Sequence, residues 1–549
     1  MRLTRDNQDP PPLPMTASTP AIKISSERES KSHLGALFVP LDFLLASGGD
    51  ARLRVDPTER LNGYGCRPFP RPEAFTFASS TATSISERAY ARARDARKEL
   101  IEASLSLGLV DAFDACVEQM RGKLKKYLQL GDETEIVFSP SGTDSQLHAL
   151  FMARALLGVP LISAVVAADQ TGGGTKHTAT GCHFGDRTAQ GVAVEKGSPI
   201  SGLAADAASI GIPLCDENGT PRSLNAIDAE IIDAISKAIE SGNKILLQIM
   251  NSSKLGWHAP SRDCVKEICA RWPDAVQIVV DACQMRLSSA QIKHHLSCGH
   301  MVLTTGSKFF TGPPFSGALL VPGRISRRLE GISDIPSGLH AYTNRFDWPK
   351  RWSGLRERLS TRPNFGQWLR WEAALEEMRA YHSVPASFRH SAFERFTAAA
   401  TQIIASSPNL RPIPNPYLEQ SDEIDDGEMA LAKIFPFTLQ CNGDAISYDD
   451  CVKVYRALNR DMSHLLSANA SNEERQLAAQ PCHIGQPVGL HMNGQPMAAL
   501  RISAGARIVS EAWSPDEKRA DENIRREIEQ VAIICRKIEF LLKHLRKLS

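Results

Sequence analysis

Net charge is almost nil in this chain. Lys and Arg number 63 against 62 Asp and Glu, which leaves +1. No global field draws in polyanions, so partners such as nucleic acid or an anionic membrane are not indicated. Paired cysteines are missing as well. The twelve cysteines are scattered singly, no CxxC occurs, and Cys264 and Cys269 are the closest two. That excludes the usual zinc spacings and a compact disulfide framework, and it fits a reducing cytoplasm. No run reaches the roughly 18 consecutive apolar residues of a membrane span. The opening MRLTRDNQDPPPLPMTASTP has no apolar core of the kind a secretory signal needs. No internal repeat stands at a fixed period. The expectation is a soluble cytoplasmic protein with no metal, nucleic acid or membrane partner.

At 549 residues the chain exceeds one simple core. Residues 1–33 are polar and proline-rich, with PPPLP at 10–14, and read as flexible chain in which Met15 is an alternative start. Residues 34–95 are expected to form an N-terminal segment and helix, 96–345 a large domain, and 346–549 a smaller domain with bridging and terminal helices.

Helical spacing runs through 86–128, and EIVFSP (135–140) is a short buried strand. SGTDSQLHALFMARALLG then opens a capped helix whose stripe is Leu147, Leu150, Phe151 and Ala155. Strands at 161–167, 244–250, 276–282, 301–305 and 317–322 alternate with helices at 227–241, 261–271 and 288–297. The strands are continuous apolar runs, as in a parallel sheet covered on both faces. The fold class is α/β, with a mostly parallel, mixed sheet sandwiched by helices and a smaller α+β C-terminal domain. In that domain IFPFTLQ and MAALRISAG are strands, and 517–546 is a helix whose stripe from Ile524 to Leu545 reads as core.

Ligands in open parallel sheets bind beyond the carboxyl ends of strands, so the residues just after each apolar run matter most. After EIVFSP stand Ser141, Gly142 and Thr143, a glycine turn entering a helix, where free N–H groups and the helix dipole favour a phosphate. After VQIVV stands Asp281, with Gln284 beyond it; a buried strand-end carboxylate needs a cationic or hydrogen-bonding partner. After MVLTT stand Gly306, Ser307 and Lys308. Singly, each has a plainer reading: Ser141 or Thr143 as a helix cap, Asp281 as another, Lys308 as a solvated loop lysine. In this order, a phosphate cradle, a carboxylate and an amine are what pyridoxal phosphate requires.

The chain resembles the fold-type I pyridoxal-phosphate enzymes, in particular the class V aminotransferase and cysteine desulfurase group. Asp281-Ala282-Cys283-Gln284 is similar to that group's DGAQ, and Thr305-Gly306-Ser307-Lys308 followed by FFTGPPFSGALLV is similar to its SGHK and glycine-proline segment. MNSSKLGWHAPS (250–261) and ALRISAGARIVSEAW (499–513) resemble two further segments. The resemblance implies pyridoxal 5′-phosphate as cofactor, an amino-acid substrate and a homodimer. It gives Lys308 the Schiff base and the proton transfers, Asp281 the ring nitrogen, and Gln284 the phenolic oxygen. Ser141, Gly142, Thr143, Thr305 and Ser307 would surround the phosphate, Asn364 would reach the neighbouring subunit's phosphate, and Arg501 would bind the substrate carboxylate.

Departures from the pattern leave other roles open. The loop ADQTGGGTKHTATGCHF has no histidine directly after its strand, so His183 and Thr171 are the candidates to cover the ring. Tyr64 and Ser79 are candidate substrate contacts. PCHIGQPVGL places Cys482 before Arg501, as a desulfurase nucleophile would be placed, although a small buried residue is the plainer reading. The activity expected is a class V-type aminotransferase. The alternatives are a cysteine desulfurase or other carbon–sulfur lyase using Cys482, and a catalytically silent cofactor-binding relative.

Overall fold

The computed structural model describes residues 34–417, 427–492 and 495–548. The proline-rich stretch 1–33, with PPPLP and Met15, lies outside the described residues. Strand β1 (Phe75–Phe77) is followed by helices α1 (Glu87–Leu107) and α2 (Leu109–Tyr127). The helical stretch expected over 86–128 therefore breaks once, at Gly108, whose φ of 78° no α-helix accommodates. The boundary expected at 95 falls inside α1, where Ala89, Ala93, Ala96 and Leu100 form one buried stripe.

The large sheet comprises β2 (Glu135–Ser139), β3 (Leu161–Val166), β4 (Ala207–Ile212), β5 (Lys244–Met250), β6 (Val276–Asp281), β7 (Met301–Thr305) and β8 (Gly317–Val321). Their order is β2-β8-β7-β6-β5-β3-β4. All neighbours are parallel except β8, which runs antiparallel to both β2 and β7. Helices α3 (Gly142–Leu157), α4 (Leu224–Glu240), α5 (Arg262–Arg271) and α6 (Ser289–Ser297) connect the strands. The expected mostly parallel, mixed sheet is found, and β2, β7 and β8 are buried at every position because helices cover both faces. Strand β4 had no apolar signature to reveal it: AASIGI is the sheet's edge and mostly open to solvent.

Helix α7 (Phe365–His382) is buried on nearly every side, which hides any amphipathic stripe. Most of its charged residues are engaged, while the buried Trp368 indole N–H has no partner among the described residues. Glu372 meets Arg92 and Lys123, Glu377 meets Arg88 and Arg507, and Trp371 donates its indole N–H to the Gly317 carbonyl at 3.1 Å.

After α8 (Ala386–Ser406) come β9 (Leu410–Pro412), β10 (Ile434–Cys441), β11 (Asp444–Ala445), α9 (Tyr448–Leu458), β12 (Cys482–Met492), β13 (Gln495–Ser503) and α10 (Glu517–Lys543). The second sheet is ordered β1-β12-β13-β10-β11, with β9 on β10. β1 lies parallel to β12, Phe75 opposite Cys482 and Phe77 opposite Ile484. The N-terminal segment is thus woven into the C-terminal sheet, which brings residues 64–81 beside Arg501. The α10 stripe, including Ile524, Val531, Ile534, Ile538 and Leu541, is buried against α8 and α9. Among the described residues no helix is long and apolar enough to cross a membrane.

Candidate active site

The ends of β2, β6 and β7, the middle of β13 and the N-terminal loops enclose one cavity of about 830 Å3. Its wall includes Ser141, Gly142, Thr143, Asp281, Thr305, Ser307, Lys308, Arg501 and Tyr64. These are nine of the residues singled out in the sequence, brought together from five separate stretches of chain.

Ser141 is the N-cap of α3, its hydroxyl accepting from the Asp144 N–H at 3.3 Å. The same hydroxyl donates to the Asp144 carboxyl at 2.5 Å and accepts from Arg52 Nη2 at 3.3 Å. The cap and the cradle readings therefore coexist. Burial, with a contribution from Asp50, pushes the Asp144 carboxyl up to about 7, against the opposing pull of the Ser141 hydrogen bond and Arg52. A carboxyl raised this far carries less negative charge beside the cradle at neutral pH.

Gly142 belongs there because of close approach: a Cβ at this position would lie 2.5 Å from Cys283 Sγ. Burial, and then Asp281, push the Cys283 thiol well up, so it stays a neutral wall. Gly142→Ala is expected to cost about 1–3 kcal/mol by overpacking this contact. Gly142→Ala combined with Cys283→Ala should recover most of that, and denaturant midpoints of the four variants would read the coupling. Additive single effects would count against a direct contact.

Asp281 ends β6 with one oxygen accepting from Gln248 Nε2 at 3.3 Å and the other from the Cys283 N–H at 3.1 Å. Thr305 donates to the Cys283 carbonyl at 2.7 Å, tying the ends of β6 and β7 together. Lys308 sits one turn beyond β7, half-buried, and its ammonium makes no hydrogen bond or ion pair among the described residues. The Arg501 guanidinium is buried and donates to the carbonyls of Lys254 (3.1 Å) and Gln486 (2.7 Å) and to the Thr81 hydroxyl (2.9 Å). Its Nε is buried and has no hydrogen-bond partner among the described residues. Burial lowers its pKa to about 10, which leaves it cationic at neutral pH.

Six residues singled out in the sequence lie outside this wall. Cys482 is 1% exposed at the start of β12, its thiol directed to the Gln480 carbonyl at 3.5 Å, and burial pushes it up to about 12. Burial favours the plainer role of a small core residue, and this thiol does not line the cavity. His183, a candidate ring cover, pairs its Nδ1 with the Tyr342 hydroxyl at 2.7 Å, while its neighbour Phe184 faces the cavity. Thr171 donates to its own turn, at the Ala168 carbonyl (3.3 Å), and Gly172–Thr175 supply the wall instead. Ser79 binds the carbonyls of Ser503 and Ala504 at 3.3 and 3.2 Å. Gln284 donates to the Ser80 carbonyl at 3.0 Å, from behind the wall, and Asn364 caps α7 and donates to Gly48 of its own chain at 3.1 Å.

Sequence reading missed Arg52, Lys254, Cys283, Phe184 and Phe315, all on the wall. Arg52 is gripped by Asp50 through both oxygens and lies 4.8 Å over the Phe315 ring. Only the pattern DARLR, with Asp50 capping the short turn Ala51–Leu53, hinted at an ordered arginine.

No known protein family is matched by the sequence, and no curated relative matches it. Solved structures overlap with its backbone. The cystine C–S lyase C-DES, complexed with its product cysteine persulfide, gives a TM-score of 0.48 at 12% identity, covering 83% of this chain and 98% of that one. The cysteine desulfurase CsdA of Escherichia coli gives 0.43 at 14% identity over 83% and 95%, and mouse CSAD 0.45 at 15% over 93% and 99%. At these identities and scores the likenesses assign this chain neither a family nor a chemistry.

Proposed function

We propose that the chain is a pyridoxal-phosphate-dependent enzyme acting on an amino acid. The observation that carries the reading is the meeting of Lys308, Asp281, the Ser141–Thr143 turn and Arg501 on one cavity wall. The residues suit the cofactor. Gly142 leaves the mouth of α3 open where any side chain would strike Cys283, and the first N–H groups of α3 have no partner within the helix. Bound there, the cofactor supplies an electron sink for charge developing at the substrate α-carbon.

Lys308 has the freedom this reading requires: an unpaired amine to anchor the cofactor aldehyde and then move a proton at the α-carbon. Asp281, oriented by Gln248 and the Cys283 N–H, would pair with the ring nitrogen and hold a proton on it. Ser141, Gly142, Thr143 and Ser307 would hold the phosphate, with Arg52 adding positive charge. Arg501 holds the substrate carboxylate through its uncommitted N–H groups. Phe184 and Phe315 give the cavity apolar faces that limit water. Gln284 and Asn364 act behind the wall, as supports for Ser80 and Gly48. A homodimer is proposed as the assembly and the cytoplasm as its location, in keeping with twelve unpaired cysteines.

Within that class the reaction proposed is amino-group transfer of the class V aminotransferase type. The support is the character of the wall: Cys283 is the sole thiol on it, and burial keeps it protonated. Purified protein should show the visible absorption band of a lysine-anchored pyridoxal and yield a keto acid from one of the common amino acids when an acceptor is supplied. Cysteine should release no sulfide, and Cys482→Ser should leave the product profile unchanged. Sulfide release that disappears in Cys482→Ser would reverse the choice in favour of the desulfurase.

A further inference from the structure

Lys254 stands in the turn after β5 and lines the same cavity as Lys308 and Arg501. Its carbonyl accepts from Arg501 Nη1 at 3.1 Å, so the two residues are immediate neighbours. Its ammonium makes no hydrogen bond or ion pair among the described residues. Asp169 is the carboxylate nearest in effect, but its two oxygens already accept from the N–H groups of Leu214 (2.9 Å) and Cys215 (3.2 Å).

The charges on the wall do not balance. Arg52, Lys196, Lys254, Lys308 and Arg501 face Asp50, Asp186 and Asp281. Asp50 is spent on Arg52, and Asp281 accepts from Gln248 and a backbone N–H. Lys254 and Arg501 are adjoining cations that make no ion pair among the described residues. Such a pair is costly alone and complementary to a ligand that brings two negative groups. Arg501 takes one of these in the function proposed above, on which this inference rests.

We propose that Lys254 is a specificity-determining residue that receives a second anionic group, on the substrate side chain, so that the amino acid used is a dicarboxylic one. Burial, then Arg501 and Lys308, lower the Lys254 ammonium to about 8, with Asp169 pulling the other way. The second contact is therefore charged below pH 8 and fades as pH rises through 8, and the preference for dianionic ligands should fade with it.

Two measurements test this on the full chain. In cofactor-free protein, succinate should raise the melting temperature where propionate does not, and Lys254→Met should erase the difference. In loaded protein, spectral titration should show aspartate or glutamate binding about 10- to 100-fold tighter than alanine, the range of one charge-assisted hydrogen bond. Lys254→Met should remove that advantage and change alanine binding less than about 3-fold, with Lys254→Arg keeping it. An equal loss for alanine and aspartate would mean that Lys254 shares the α-carboxylate with Arg501, and the proposal falls. No loss for either overturns it too. If the wild-type protein never acquires the visible band, the cofactor reading fails, while the succinate and propionate comparison still decides for or against Lys254.

Discussion

Lys308→Ala is expected to abolish turnover and the visible absorption band while leaving the fold intact. The side chain is half-buried and its ammonium has no partner among the described residues, so truncation strands no buried polar group. Mutations of that kind stay within about 1 kcal/mol of the parent stability. Activity should fall much further. Loss of a positioned acid/base alone is worth about 10² to 10⁴ in rate, and here the covalent anchor goes with it. Absorbance spectra and single-turnover rates, with a denaturation curve as control, would measure both. A band that survives in Lys308→Ala would show that another amine holds the cofactor, and Lys254 would be the first to examine.

The largest loss of stability is expected at Arg370. This arginine on α7 is fully buried, and its guanidinium donates to four carbonyls: Phe315 (2.8 Å), Leu45 (3.0 Å), Ser47 (2.5 Å) and Gly48 (3.0 Å). Burial lowers its pKa to about 9, with Asp144 and Asp50 opposing, so it is still charged at neutral pH. Arg370→Met would leave the carbonyls unsatisfied, at about 1–3 kcal/mol for each that finds no water. A total of about 3–5 kcal/mol is expected, in line with removing one partner from a buried charged network. The four carbonyls belong to the segment just before Asp50–Arg52 and to the loop carrying Phe315, so cofactor affinity should fall as well. Arg370→Lys should rescue little, because an ammonium cannot present a planar fork to four acceptors. Urea midpoints, with cofactor titration on whatever remains folded, would check this; an Arg370→Met protein as stable as its parent would refute it.

The fold was legible in the sequence wherever one local rule sufficed. The strands of the large sheet read as continuous apolar runs because helices cover both faces, so neither face can be polar. The strand-end positions of Ser141, Asp281 and Lys308 followed from those runs. Edge strand β4 was not legible, since most of its side chains meet solvent and small residues there carry no pattern. Nor was the pairing of β1 with β12, which joins segments some four hundred residues apart by backbone bonds that any side chains permit.

Side-chain roles divide the same way. Residue type and turn chemistry determined that a glycine turn, a carboxylate and an amine follow three strands of one sheet, and that was enough to single out Lys308. Tertiary structure alone decided that Phe184 faces the cavity while His183 turns to Tyr342, that Cys482 is sealed in a strand, and that Lys254 and Arg52 reach the wall. Each of those outcomes is set by what distant segments place around the side chain. Burial, ionisation and access are properties of that surrounding volume, and a one-dimensional pattern does not contain it.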